Sequence, residues 1–92
     1  MPIRILICDP IDSEGIEKLK KAGFKVDLAS SITKKTLEEK VQEYNVLIVR
    51  SRTKVTREII ERGKNLRLIA RAGSGLDNID LKAAEKRAIA VL

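Results

Sequence analysis

The stretch Val46-Leu47-Ile48-Val49-Arg50-Ser51-Arg52-Thr53-Lys54-Val55-Thr56 decides the fold. Its first four residues form an unbroken apolar run rich in β-branched side chains, which is typical of a central parallel strand covered on both faces. Thr56 can then cap a short helix through Ile59 and Ile60, which Gly63 closes. A buried strand, a polar loop and a helix together form one unit of an alternating α/β fold.

The same alternation extends along the whole chain. We predict strands over 3–8, 25–28, 46–49, 66–70 and 89–92, with helices that begin at Asp12 or Ser13, Thr33, Thr56 and Asp80. Such alternation implies parallel strands joined by right-handed crossovers, and the polar second strand suits an edge. The prediction is a flavodoxin-like α/β fold: a parallel five-stranded sheet in the order 2-1-3-4-5 with helices on both faces.

Length and composition restrict what this chain can do. Its 92 residues fit one domain, 1–92, with 19 basic and 13 acidic side chains, no histidine, and Cys8 as the one cysteine. No intrachain disulfide, zinc cage or Ser-His nucleophile pair can be built from these residues, and the lone thiol favours a cytoplasmic location. No apolar run approaches the roughly 20 residues of a membrane helix. Because Phe24 and Tyr44 are the only aromatic residues, a base-stacking surface for nucleic acid is not expected.

Positive charge is concentrated in the second half of the chain. Residues 1–46 carry eight basic and eight acidic side chains, whereas residues 47–92 carry eleven basic and five acidic ones. Arg57, Arg62, Lys64 and Arg67 flank a predicted helix, so we interpret them as a solvated surface. Nucleic-acid binding through this half is a weaker alternative, because no predicted recognition helix carries a basic run.

Two loops that follow strands three and four combine into a candidate site. In an open parallel sheet, ligands bind beyond the carboxyl ends of the strands where the strand order reverses. Arginine suits forked contacts with carboxylates and phosphates, and paired glycines let backbone N–H groups converge on an anion. We therefore predict that a small acid with two anionic ends is held between two sets of residues: Arg50, Ser51 and Arg52 on one side, and Gly73, Ser74 and Gly75 on the other. The alternative is that the glycines only form a turn and that Arg71 pairs with Asp77.

Two other functions that this pattern suggests are disfavoured. A dinucleotide fingerprint would need a third glycine where Asn78 stands, and the helix that Asp80 begins comes too late. A phospho-accepting receiver domain would need an aspartate after the third strand, where Arg50 and Ser51 lie instead. We interpret Cys8 as a small core residue and not as a nucleophile.

Three segments resemble a known family. They are Ile7-Cys8-Asp9-Pro10-Ile11, Ile48 to Thr56, and Ile69-Ala70-Arg71-Ala72-Gly73-Ser74-Gly75-Leu76-Asp77-Asn78-Ile79-Asp80. Together they are similar to the amino-terminal part of the D-isomer-specific 2-hydroxyacid dehydrogenases. The segment from Gly73 to Asp80, called the glycine loop below, is shared by the wider family. The segment from Arg50 to Thr56, called the arginine loop below, is more particular to its phosphoglycerate branch.

The resemblance implies a substrate-binding domain of a longer two-domain enzyme. In this family the backbone at Ser74 and Gly75 would hold the substrate carboxylate, and Arg50, Ser51 and Arg52 would favour a phosphorylated 2-hydroxy acid. The catalytic residues and the NAD fingerprint would lie downstream, so we expect no catalytic residue and no cofactor in this chain, NAD in the parent enzyme, and no activity of the chain alone.

Three further expectations follow. The family has a later helix that closes the domain, so a sheet face without it would be uncovered, and we expect that face or the edge of the sheet to form a homo-oligomer. The alternative to part of an enzyme is a stand-alone or engineered module without catalytic function, which would self-associate through its uncovered sheet. Ala88 occupies a turn where the resemblance implies glycine or another turn-tolerant residue. Positive φ would cost alanine about 1 kcal/mol, so we expect this turn to differ.

Overall fold

A computed structural model describes residues 2–72 and 78–92 of the chain. The predicted site residues Gly73, Ser74 and Gly75, and Asp77 of the alternative pairing, lie outside the described residues. The strands are β1 (Arg4–Ile7), β2 (Lys25–Leu28), β3 (Val46–Val49), β4 (Leu68–Arg71) and β5 (Ala90–Val91). The helices are α1 (Ser13–Lys21), α2 (Lys34–Lys40), α3 (Arg57–Arg62) and α4 (Leu81–Lys86), and a single 3-10 turn follows α2.

The five strands form one parallel sheet in the order β2-β1-β3-β4-β5. Ile7 pairs with Ile48 across β1 and β3, and Val49 pairs with Arg71 across β3 and β4. The strand order therefore reverses between β1 and β3, and the predicted flavodoxin-like α/β fold is confirmed. Among the described residues, none of the helices has the length and the apolar character to cross a membrane.

Side-chain caps start all four helices where the sequence predicts them. The side chains of Asp12, Thr33, Thr56 and Asp80 accept hydrogen bonds from backbone amides in the first turns of α1, α2, α3 and α4. Each bond satisfies an amide that has no partner inside the helix. After α1 the chain turns at Gly23, whose φ of +93° lies in the left-handed region that glycine adopts readily at the end of a helix.

The two faces of the sheet are covered unequally. A buried cluster joins Leu6, Leu47 and Ile69 of the sheet to residues of α2, α3 and α4. Ile5 and Ile7 are buried outside this cluster, and α1 packs beside them through Ile16, which lines a cavity together with Ile7. No residue of α1 is fully buried. On the strands beyond α1, several apolar side chains remain partly accessible, among them Ile48, Leu68 and Ala70, and Leu92 is 72% exposed.

Element ends differ from the predictions by one or two residues. β1, β4 and β5 are shorter or shifted relative to 3–8, 66–70 and 89–92, whereas β2 and β3 match. Leu37, Val41 and Tyr44 are all buried as their spacing predicts, but the helix tightens into the 3-10 turn before it reaches Tyr44, which is extended. Ala88 does adopt a positive φ, of 56°. The turn after α4 therefore has the conformation that suits glycine, and the expected avoidance of positive φ at Ala88 does not occur.

Candidate functional site

The loops after β1, β3 and β4 meet at one edge of the sheet. The amide of Cys8 donates to Ile48 O at 2.9 Å, and the amide of Ala72 donates to Val49 O at 2.9 Å. These bonds continue the sheet ladder to the last residue of each strand, so Asp9, Arg50 and Ala72 emerge side by side. This is the edge at which ligands bind in open parallel sheets.

Asp9 organises the loop after β3. Its carboxylate is 1% exposed and accepts from the backbone amides of Arg50 (2.6 Å) and Thr53 (3.1 Å) and from the Thr53 hydroxyl (2.5 Å). The Nε of Arg52 lies 2.9 Å from the same carboxylate. A buried carboxylate that receives this many donors is stable as an anion, because each donor replaces a lost water.

The pKa of Asp9 is lowered from its ordinary value of 3.8. Burial alone would raise this pKa, but the hydrogen bond from the Thr53 hydroxyl, the amides of Arg50 and Thr53, and the charge of Arg52 outweigh the burial. Asp9 is therefore ionised at neutral pH, and one negative charge fixes the backbone conformation of the whole loop.

The guanidinium of Arg52 is used mainly inside the protein. Besides Asp9, it donates to Cys8 O at 2.7 Å, to the Thr53 hydroxyl at 3.1 Å and to Ile32 O at 3.3 Å. Its side chain is 48% exposed and lines a cavity of about 300 Å³ with Lys34 and Lys54. Arg52 thus ties the loop after β3 to the loop after β2 and leaves little of its fork for a ligand.

The guanidinium of Arg50 does not share the cavity that Arg52 lines. In the part of the chain that the structure describes, it makes one long hydrogen bond, 3.4 Å to Pro10 O, and the residue is exposed. Arg50 lines a cavity of about 280 Å³ together with Ile11, Asp12 and Ala72. Asp12 also caps α1 by accepting from the amide of Glu14 at 3.2 Å. Arg50 is therefore the predicted arginine that is available to an anion.

The residues that flank the undescribed segment lie against Arg50. Ala72 lines the same cavity as Arg50, and the side-chain amide of Asn78 donates to Arg50 O at 2.6 Å. Ala72 and Asn78, the described residues on either side of 73–77, thus both lie beside the loop that carries Arg50. The structure does not bring Arg50 and Arg52 into one cavity, and Ser51 is exposed between them.

Sequence reasoning missed three residues of this edge: Asp9, Thr53 and Asn78. All three lie in segments that the sequence places beside the predicted site, but none of them is among the predicted site residues. A signal was present, since an aspartate directly after a central strand is next to the loops after the neighbouring strands. The bonds from Arg50 and Thr53 to Asp9 connect residues more than 40 positions apart, so local patterns do not show them.

The thiol of Cys8 has no chemical role at this edge. Its side chain is fully buried in the core cluster, and burial, followed by the neighbouring charge of Asp9, raises its pKa to about 12. A thiol with this pKa is protonated at neutral pH and is a poor nucleophile. Among the described residues, no group of histidine, cysteine and acidic side chains is arranged to hold a metal ion.

The first turn of α4 is capped by its own carboxylate. The side chain of Asp80 accepts from the amide of Ala83 at 3.0 Å. One of the amides that have no partner inside the helix is therefore satisfied within the protein.

Comparison with known proteins shows which family the chain matches. Residues 5–92 match the family model described as D-isomer specific 2-hydroxyacid dehydrogenase, catalytic domain. The chain is 44% identical to D-3-phosphoglycerate dehydrogenase of Methanocaldococcus jannaschii over 90 residues, which is 98% of this chain and 17% of that relative. It is 45% identical to a hydroxypyruvate reductase of Thermotoga maritima, over 97% of this chain and 29% of that relative.

The solved structures give the same result. The chain superimposes on the NAD⁺-bound 3-phosphoglycerate dehydrogenase of Entamoeba histolytica with a TM-score of 0.88 and 31% identity. The match covers 100% of this chain and 32% of that one. The chain therefore spans less than a third of the length of each of these relatives.

Proposed function

Since the chain belongs to the D-isomer specific 2-hydroxyacid dehydrogenase family, we propose that it is the substrate-binding part of an NAD-dependent D-3-phosphoglycerate dehydrogenase. The parent reaction would convert 3-phosphoglycerate to 3-phosphohydroxypyruvate, a step of serine biosynthesis. The observation that carries this proposal is the exposed guanidinium of Arg50, which lines a cavity with Ala72, while the Asn78 side chain binds the carbonyl oxygen of Arg50.

The chemistry of this edge suits an acid with two anionic groups. A forked guanidinium forms paired hydrogen bonds with a phosphate or a carboxylate. The backbone at Gly73, Ser74 and Gly75, next to Ala72, would supply N–H groups to the second anionic group. Arg52 contributes through Asp9, because its contacts hold the loop that carries Arg50 and Ser51.

The relatives differ in whether the acid for which they are named carries a phosphate. Two of them are named for phosphoglycerate and one for hydroxypyruvate, which has no phosphate. The exposed guanidinium of Arg50 favours the phosphorylated acid, because it can form paired hydrogen bonds with a phosphate. Hydroxypyruvate is the second candidate, and the similarity to the reductase of Thermotoga maritima favours it.

We infer that NAD is bound by other parts of the parent enzyme. The helix N-terminus that follows the glycine loop is occupied by Asp80, and this supports the inference. The described residues of the chain also lack histidine, and the one cysteine has a pKa of about 12. We therefore propose that the chain alone does not oxidise 3-phosphoglycerate, because no group of this edge is suited to take up the hydroxyl proton at neutral pH.

We further propose that the chain associates with itself and is cytoplasmic. The sheet face on the side of α1 has partly accessible apolar side chains on β3 and β4, and Leu92 is 72% exposed. Water contact of such a surface is unfavourable, so a second copy that covers it would be stabilised. The free, buried thiol of Cys8 is consistent with a reducing compartment. A module without catalytic function remains the alternative, and it would use the same apolar face but would not bind the acid.

Calorimetric titration of the 92-residue chain tests the proposal. We expect 3-phosphoglycerate to bind more tightly than hydroxypyruvate, glycerate or inorganic phosphate. Arg50→Gln should weaken 3-phosphoglycerate binding roughly tenfold or more, because charge-assisted hydrogen bonds are worth about 1.5–3 kcal/mol.

A matched control removes the same charge elsewhere on the surface. Arg57 is exposed on α3 and pairs with Glu61 in the same helix, so Arg57→Gln should bind 3-phosphoglycerate as the parent chain does. Equal losses in the two variants would mean that only net charge matters, which contradicts the proposed site. Tighter binding of hydroxypyruvate would favour the second candidate, and no heat with any of these acids would favour the module without catalytic function.

A further inference from the structure

We propose that Asn78 is a positioning residue for this site: its side-chain amide fixes the distance between the loop that carries Arg50 and the end of β4. The inference rests on the proposed function, and it assigns a role to a residue that sequence patterns present only as a missing glycine.

The side-chain amide of Asn78 makes three hydrogen bonds to other described residues. Its Nδ2 donates to Arg50 O at 2.6 Å and to Thr53 O at 2.7 Å, and its Oδ1 accepts from Arg71 Nε at 2.8 Å. Two carbonyl oxygens require the NH₂ group and a guanidinium requires the oxygen, so the partners themselves fix the orientation of the amide. One side chain therefore holds two points of the arginine loop and the last residue of β4.

The backbone around Asn78 reinforces this connection. Val55 N donates to Asn78 O at 2.8 Å, and Asp80 N donates to Val55 O at 3.0 Å. Val55 and Ile79 form an isolated parallel bridge, and both are buried. The segment 78–80 thus pairs with the end of the arginine loop, and the Asn78 amide spans the remaining distance to Arg50.

Asn78 and Asp9 hold the loop that carries Arg50 through different atoms. Asp9 accepts from the backbone amides of Arg50 and Thr53, while Asn78 donates to the carbonyl oxygens of the same two residues. Because Arg50 is the arginine that is available to an anion, a shift of its loop relative to the end of β4 would weaken the binding of an acid even though Asn78 itself is not a ligand.

Asn78→Ser tests the proposal without changing net charge. A serine has one donor and a shorter side chain, so it cannot bridge Arg50 O and Thr53 O. We expect the affinity for 3-phosphoglycerate to fall about tenfold. We also expect the ¹⁵N order parameters of residues 50–53 to decrease, since this backbone loses its attachment to β4.

Asn45 provides a matched control at the opposite edge of the sheet. Its side-chain amide also bridges separate segments, because Nδ2 donates to Asn65 O at 3.1 Å and Oδ1 accepts from Arg4 N at 3.0 Å. Asn45→Ser should lower the thermal midpoint by an amount similar to Asn78→Ser and leave the affinity unchanged. If Asn78→Ser does not fold, Asn78→Asp replaces it, because aspartate keeps the size of the side chain and the acceptor for Arg71. Lower ¹⁵N order parameters of residues 50–53 in Asn78→Asp would then support the positioning role, and unchanged ones would overturn it.

The outcomes separate this inference from the proposed function. Unchanged affinity and unchanged order of residues 50–53 in Asn78→Ser would overturn the positioning role and leave the proposed function intact. Equal losses of affinity in Asn78→Ser and Asn45→Ser would also overturn it, since the effect would then be general destabilisation. If the parent chain binds none of the acids, the proposed function fails first, and the positioning role fails with it.

Discussion

Replacement of Asp9 by asparagine should destabilise the fold by about 3 kcal/mol, a large share of the 5–15 kcal/mol typical of a domain. Asparagine keeps one acceptor oxygen, but when that oxygen faces the amides of Arg50 and Thr53, its NH₂ group lies against the Thr53 hydroxyl and Arg52 Nε. The variant therefore loses charge-assisted hydrogen bonds worth about 1.5–3 kcal/mol each. The loss stays near the lower end for a broken buried pair, because Arg52 is 48% exposed and water can solvate its charge.

Urea unfolding followed by circular dichroism measures this change. Asp27→Asn is a matched control, since it removes the same charge from β2, where the side chain is 43% exposed. We expect Asp27→Asn to change the free energy of unfolding by less than about 1 kcal/mol. A change of less than about 1 kcal/mol in Asp9→Asn as well would refute the central role of this carboxylate.

The difference in free energy of unfolding between the parent chain and Asp9→Asn should depend on pH. The pKa of folded Asp9 is lowered from 3.8, so its stabilising contribution is fully present above that pH. It is lost as the pH falls through the folded pKa, because the unfolded state then binds more protons. The stability difference between the parent chain and Asp9→Asn should therefore be constant near neutral pH and should shrink below pH 3.8. A difference that stays constant in acid would contradict the lowered pKa.

Two further substitutions and one labelling reaction test the backbone conformation and the packing. Ala88→Gly should raise the free energy of unfolding by about 0.5–1 kcal/mol in urea, because glycine tolerates the φ of 56°; destabilisation would contradict that conformation. Gly63→Ala should cost about 1–3 kcal/mol, since a Cβ would lie 2.9 Å from the Cβ of Leu66 and 3.3 Å from Val41; a neutral result would show that α3 can move. Cys8 should resist a thiol reagent at pH 8 and react once guanidinium unfolds the chain, because its pKa is about 12; rapid native labelling would contradict its burial.

The fold follows from the sequence because its determinants are local. The four capping residues Asp12, Thr33, Thr56 and Asp80 act within three residues of themselves, so the helix starts match. The apolar run of β3 has only one stable environment, the middle of a covered sheet. Strand ends are less predictable, since they depend on the neighbouring strands: β5 is reduced to Ala90–Val91, which pairs with β4 alone.

The candidate site is less predictable than the fold. Sequence patterns identify the arginine loop and the edge of the sheet on which it lies. They do not show that the guanidinium of Arg52 is held by Asp9 and Cys8 O while that of Arg50 remains available. This difference between the two arginines depends on hydrogen bonds between residues 44 positions apart, which only the assembled sheet brings together.

Chemical-shift mapping on the ¹⁵N-labelled 92-residue chain with 3-phosphoglycerate tests the central claim most directly. The account predicts that saturable shifts are confined to the amides of residues 50–53, Ala72, 73–77 and Asn78, and that sulfate at equal ionic strength shifts a smaller part of the same set. Shifts that are concentrated on the basic surface of α3, at Arg57 and Arg62, or that are absent from residues 50–53, would contradict it.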